Sequence, residues 1–137
     1  MIYIACPYTH PSAITRAERS RKAGKAMLTL AEQGILAVSP IFYGHSIEEK
    51  FHITLPYDYW MQWSFDLMSK CSSLYVVTIP GWRESAGVRR ECELADQLGV
   101  PITGYCSAAD AEEVSGLDIR REFGLSIQKA KGLRRIS

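Results

Sequence analysis

Glu91 stands where an apolar residue is expected. Residues 85–98 read as a helix; at about 100° per residue Val88, Cys92, Leu94, Ala95 and Leu98 share one face. Arg89, Arg90, Glu93, Asp96 and Gln97 fall on the other face, whereas Glu91 lies inside the apolar arc. A carboxylate facing a core is costly unless it is paired, hydrogen-bonded or used. Glu91 is therefore either a catalytic group or a structural one satisfied by an arginine or backbone donors. Ser85 opens the same helix, with Gly87 and Val88 behind it. A helix N-terminus offers unpaired N–H groups and partial positive charge to a phosphate or carboxylate. Ser85 would add a hydroxyl and Gly87 would let a ligand approach; alternatively Ser85 only caps the helix. A second carboxylate, Asp66, borders a helical face formed by Trp60, Trp63, Leu67 and Cys71. Two carboxyl groups in one pocket, one ionised and one protonated, are what glycosidic bond cleavage uses. That pairing requires Asp66 to lie early enough in its helix; otherwise it is a solvated flank residue.

The elements that must position these groups alternate. A short β-branched run predicts a strand over 2–6. Ser12 can cap a helix running to about Gln33, with Gly34 as its stop. A second strand spans 35–39 and ends at Pro40. Residues 41–56, rich in aromatic and polar types, predict a long loop. A helix follows over 57–71, then a nearly continuous apolar strand over 73–79, as expected of a buried parallel sheet. The Glu91 helix comes next and a fourth strand spans 101–105. This order predicts a single-domain α/β, flavodoxin- or Rossmann-like three-layer sandwich with a four- to five-stranded parallel sheet. Ligands bind such sheets at the carboxyl ends of the strands. The loops there are 7–12, 40–56 and 80–85. The α/β domain is assigned to residues 1–106 and a C-terminal extension to 107–137. Within the extension, 108–114 could form a short helix and Lys129–Arg135 a solvated basic tail.

Composition narrows the function classes. The chain has 137 residues, 47% hydrophobic and 23% charged, with a net charge of +1. These are values of an ordinary globular domain with no overall pull towards nucleic acid or an anionic membrane. No apolar run reaches membrane-spanning length, and the N-terminus lacks the pattern of a signal peptide, so a cytoplasmic location is expected. Cys6, Cys71, Cys92 and Cys106 show no Cys-x-x-Cys spacing and read as reduced, mostly buried thiols. His10, His45 and His52 form no ligand pattern, so neither a metal nor a cofactor is expected. Nucleoside triphosphate and dinucleotide fingerprints are absent. Arg83 stands where a hydrolase elbow needs glycine.

Tyr3, Asp66 and the run Gly81-Trp82-x-x-Ser85-x-Gly87-Val88-x-x-Glu91 together resemble the nucleoside 2-deoxyribosyltransferase superfamily over about residues 1–105. The likeness extends to a small subgroup, with many phage and proteobacterial members, that carries Cys-Pro-Tyr near the N-terminus and Pro-Gly-Trp before the Ser-x-Gly. The Ser-x-Gly-Val-x-x-Glu spacing also resembles deoxynucleoside 5′-monophosphate N-glycosidases. The resemblance implies that Glu91 is the nucleophile at C1′, that Tyr3 orients it, and that Asp66 protonates or holds the departing base. It implies that Ser85, Gly87 and Val88 form the substrate-binding helix start, contacting a 5′-phosphate or a sugar hydroxyl. Water would complete hydrolysis and a second base would complete transfer, both with retention. It further implies a homodimer or higher homo-oligomer in which a neighbour's C-terminal residues close the pocket.

Some positions depart from that pattern. Where nucleotide-hydrolysing relatives have Gly-Ser after the first strand, this chain has Cys6-Pro7, and Pro7 has no N–H for a phosphate. Thr9, His10 or Arg16 could replace it. Tyr8 could stack on the base or simply pack on a helix. His45 could contact base or sugar, or be a surface histidine. Trp82 could wall the pocket or anchor its turn. The expected activity is N-glycosidic cleavage of a nucleoside 5′-monophosphate. The alternatives are base exchange between deoxynucleosides and a non-catalytic nucleotide-binding or sensing module.

Overall fold

A computed structural model describes residues 1–127. The basic stretch Lys129–Arg135 lies outside the described residues. The elements run β1 (Ile2–Ala5), α1 (Ala13–Glu32), β2 (Ala37–Val38), α2 (Pro40–Phe51), α3 (Tyr57–Met68), β3 (Ser73–Val77), α4 (Ala86–Leu98), β4 (Ile102–Tyr105) and α5 (Gly116–Glu122). The four strands form one parallel sheet in the order β2-β1-β3-β4. This is the α/β, Rossmann- or flavodoxin-like sandwich expected from the alternation of elements.

Strand periodicity divides the interior into two cores. Tyr3, Ala5, Leu74, Val76 and Ile102 point to one face and meet Met68 of α3, Val88, Cys92 and Ala95 of α4, and Ile119 of α5. Ile4 and Val77 point to the opposite face, which Ala23, Ala26 and Leu30 of α1 cover, with Ile41 of α2 at its margin. With both faces covered, the strands can be apolar almost throughout. The chain after β1 turns outward to β2, whereas the chain after β3 turns the other way to β4. The carboxyl ends of β1 and β3 therefore bound the switch-point crevice, the place where such sheets bind ligands.

Ser12 caps α1 by accepting the Thr15 N–H at 3.3 Å. The predicted loop over 41–56 is instead mostly the helix α2. Ser39 caps it by accepting the Phe42 N–H at 3.3 Å, and Pro40 occupies its first turn. Proline suits that position because its missing N–H would have no partner there. The same proline that ends β2 thus starts a helix, and the true connection is only residues 52–56.

Residues 108–114 form no helix; the helix comes later, as α5, with Ser115 accepting the Asp118 N–H at 3.1 Å. Side chains beyond 106 are integral to the core. Ile119 and Phe123 are buried in it, and Arg120, 3% exposed, pairs with Asp96 of α4. Gly104 and Gly116 permit this docking, because a Cβ on either would run into the backbone of Val114 or Ile102.

Candidate active site

α4 begins just beyond β3, so its N-terminus stands at the switch-point crevice. Ser85 accepts the Val88 N–H at 3.1 Å, which makes it the helix cap. Its own hydroxyl proton has no acceptor among the described residues. The N–H groups of Ala86 and Gly87 have no hydrogen bond to the described residues, as expected for a first helical turn. Gly87 is exposed, and a Cβ built there would meet only the Ser85 Oγ, at 3.8 Å. Packing therefore does not require glycine at 87, whereas close approach of a ligand would.

Glu91 lies about one turn further along α4, on the side turned towards the sheet. Protein surrounds it closely, yet it keeps part of its surface in contact with solvent. Burial pushes its pKa up to about 7, and the Tyr3 hydroxyl partly opposes the rise. Tyr3 comes from the first half of β1, paired with Val38 on one side and Leu74 on the other, and is fully buried. Its hydroxyl faces Glu91 and Ser64 but stops short of hydrogen-bond geometry. Among the described residues it is the one buried side-chain polar atom without a partner. Burial, reinforced by the Glu91 charge, holds that phenol well above its usual range, so it stays a donor. An orphaned buried hydroxyl beside a half-ionised carboxylate is costly for a merely structural pair.

Three further side chains belong to this region. Ser64 of α3 approaches Tyr3. It sits four residues after Trp60 and three before Leu67, a polar residue in an apolar stripe, so helical periodicity singles it out as it does Glu91. Cys6, at the end of β1, feels Glu91 on one side and Arg19 and Lys22 on the other, and burial is the main cause that pushes its thiol up to about 12. Arg19 of α1 donates to the Thr9 carbonyl at 3.0 Å and lies over Gly81, whose φ is +99°. It thereby ties the loop after β1 to the turn after β3. No residue pattern in the sequence reveals that role, which depends on the two loops meeting across the crevice.

Tyr8 and His45 do come together. Tyr8 Oη and His45 Nδ1 are 2.7 Å apart, and His45 Nε2 is 2.7 Å from Glu49 one turn along α2. Three other expected contacts are placed elsewhere. Trp82 is 1% exposed and anchors its turn, donating its indole N–H to Glu112 at 2.8 Å and packing edge-on against Phe123. Val88 is a fully buried core residue, leaving only its already capped N–H near the site. Asp66 is the tenth residue of the 12-residue α3, about 13 Å down its axis from Tyr57. It is exposed and accepts from Gln62 at 3.2 Å. Ser64, two residues earlier on α3, approaches Tyr3, and two residues are about 200° of helix, so Asp66 is turned to the opposite, solvent side of α3. The structure does not bring Asp66 to Glu91.

A cavity of about 570 Å³ lies elsewhere, between α3 and α4, lined by Tyr57, Asp58, Met61, Phe65, Arg90 and Glu93 among others. Glu91, Tyr3 and Ser85 are not part of its lining. The convergence of chemistry, rather than cavity size, marks the candidate site. Among the described residues no three His, Cys, Asp or Glu side chains gather as a metal cage.

A family model described as a domain of unknown function, DUF1937, matches residues 1–107. The chain belongs to that family. No curated protein matches it. The DUF1937 match takes in β1 to β4, and with them Tyr3, Tyr8, His45, Ser85, Gly87 and Glu91, but ends before α5.

Proposed function

We propose that this protein cleaves the N-glycosidic bond of a nucleoside 5′-monophosphate with retention of configuration, through a glycosyl ester on Glu91. The observation that carries the reading is Glu91 itself: a partly solvent-accessible carboxylate near the switch point, its pKa near neutrality, beside a buried Tyr3 hydroxyl that no group among the described residues satisfies. Ionised Glu91 would attack C1′ as the bond to the base breaks. Tyr3 would supply a hydrogen bond that fixes the carboxylate. The free N–H groups of Ala86 and Gly87, with the Ser85 hydroxyl, suit a phosphate about one turn from the nucleophile. Hydrolysis of the glycosyl ester would then release the sugar phosphate.

The test is incubation with a panel of nucleosides and their 5′-monophosphates, with and without a second free base. Free base from monophosphates, lost in Glu91→Ala, is the expected result. New nucleosides would convert the reading to base exchange. Monophosphate binding with neither product would overturn it in favour of a sensing module.

We also infer a homo-oligomer working in the cytoplasm. Phe42, Tyr43 and Phe51 on α2 and Tyr57, Tyr59 and Phe65 on α3 are exposed, a concentration of large apolar side chains that suits a partner copy. Four unpaired cysteines, three of them buried, suit a reducing compartment. Sedimentation velocity at micromolar concentration decides the first point, and a single monomeric boundary would refute it.

A further inference from the structure

Nucleobases leave poorly as anions, so cleavage at C1′ asks for a proton donor as well as a nucleophile. Glu91 is committed to attack, and Asp66 is out of reach. The proposal that follows rests on the N-glycosidase reading above and assigns the missing donor.

Tyr8 lies three residues beyond the end of β1, in the loop that forms one wall of the switch-point crevice. The loop begins near the nucleophile, since Cys6 at its root, two residues before Tyr8, feels the charge of Glu91. It is also firmly held. Arg16 Nη1 donates to the carbonyls of His10 at 2.5 Å and Pro11 at 3.2 Å, and Arg19 holds Thr9. Tyr8 itself is half-buried. Its hydroxyl is 2.7 Å from His45 Nδ1, the rings meet edge-on, and His45 Nε2 is 2.7 Å from Glu49. Both imidazole nitrogens are thus engaged, with a phenol at one end and a carboxylate at the other. A packing contact between loop and helix needs neither the second nitrogen nor the carboxylate. The charged groups acting on the phenol are Arg16, Glu48 and Glu49, and burial raises it above its ordinary value. Glu48 is otherwise occupied, accepting the Leu55 N–H at 2.8 Å and the Trp60 indole N–H at 3.3 Å. Glu49 is the carboxylate left to back His45.

We propose that Tyr8 is the proton donor to the departing base, resupplied by His45 and Glu49. As the C1′–N bond breaks, its electron pair goes to the base nitrogen, which takes the Tyr8 proton. Tyr8 is refilled from Nδ1–H of the His45 imidazolium, leaving neutral His45 donating Nε2–H to Glu49. In the second half, water attacks C1′ and the ester electron pair returns to the Glu91 carboxylate. The proton of water passes to Tyr8 as the Tyr8 proton returns to Nδ1. Protons balance over the cycle, and one group serves as acid and then as base, as retention requires. Tyr8 is the catalytic residue of this relay; His45 and Glu49 are positioning residues.

The test uses leaving groups. Deoxynucleoside 5′-monophosphates of guanine and uracil are compared with those of N7-methylguanine, which departs without taking a proton, and 5-fluorouracil, a weaker base. Tyr8→Phe and His45→Gln are expected to lower kcat on the ordinary bases by ~10²- to 10⁴-fold and on N7-methylguanine by less than about threefold. Tyr8→Phe keeps the ring, and an unchanged melting temperature confirms the fold. Equal losses on both members of a pair, or no loss on either, overturn the proposal while leaving the N-glycosidase reading intact. Absence of base release from any substrate by the unaltered protein, with or without an acceptor base, defeats both.

Discussion

Glu91 joins two properties usually found apart: a place among core residues and access to solvent. Burial raises its pKa from 4.5 to about 7. A nucleophile must be ionised, so kcat/KM should fall as pH drops through about 7, with one proton governing the acidic limb. A flat profile between roughly pH 5.5 and 8 would remove Glu91 from the chemistry. The same displacement sets the sign of a stability effect. Because the folded pKa is the higher one, the folded state binds more protons than the unfolded state between 4.5 and about 7. Stability is therefore fullest below 4.5 and declines as pH rises through 7, by roughly 2–3 kcal/mol given 1.36 kcal/mol per pKa unit and some solvent contact. Glu91→Gln should then melt several degrees higher than the unaltered protein at pH 8, with little difference at pH 4, while losing turnover. Thermal unfolding at the two pH values measures it; a variant less stable at pH 8 would identify Glu91 as a structural ion-pair member instead. This residue was legible from helical periodicity alone, because a charge in an apolar arc contradicts its surroundings. Trp82 and Val88 were not, since an aromatic or β-branched residue near a glycine turn looks the same whether it faces a ligand or a core.

At the scale of elements, the N-terminus of α4 makes a prediction that separates binding from folding. Gly87 sits in the first turn with no protein atom crowding a Cβ. Alanine favours a helix over glycine by up to ~1 kcal/mol, so Gly87→Ala should leave stability unchanged or raise it slightly. If Gly87 admits a phosphate, the added methyl should raise KM for monophosphates by ~10-fold or more, with little effect on the corresponding nucleosides. Equal kinetics on both substrate forms would place the phosphate elsewhere. The elements themselves were readable where local signals agree: Ser12 and Gly34 bracket α1, and the run through Tyr75, Val76 and Val77 announces a central strand. They were misread where one residue carries two meanings. Pro40 both ends β2 and opens α2, and the aromatic residues after it resemble a loop because so many of them stay exposed. Asp66 borders the apolar stripe of α3 in the sequence, but it falls about 200° around the helix from Ser64, the residue that approaches Tyr3, and faces solvent.

For the whole molecule, the family boundary and the physical boundary differ. The DUF1937 match stops at residue 107, and the sequence beyond 105 has no strong periodicity. Yet this stretch completes the core. Thr78 Oγ1 donates to the Glu112 carbonyl at 2.5 Å, the Glu112 carboxylate takes the Trp82 indole N–H, and Arg83 pairs with the same carboxylate. Ile119 and Phe123 close the α4 face of the core, and Arg120 satisfies Asp96 while donating to the Ser126 carbonyl at 2.9 Å. These contacts were invisible in the sequence because each is a single residue meeting a distant partner, without repeating spacing. Their loss should be severe. Exposing the surface covered by Ile119 and Phe123 costs about 1.5–3 kcal/mol for each side chain. An indole N–H without its acceptor adds about 1–3 kcal/mol, and the Asp96 carboxylate, half-enclosed without its arginine, adds more. The sum, on the order of 5–10 kcal/mol, is comparable to the whole stability of a domain this size. A chain ended after residue 107 should therefore fail to unfold cooperatively in urea and should bind a hydrophobic dye, even though it contains all four strands and every candidate site residue. A sharp urea transition from that shortened chain would mean that the crevice and its chemistry are held by the matched region alone.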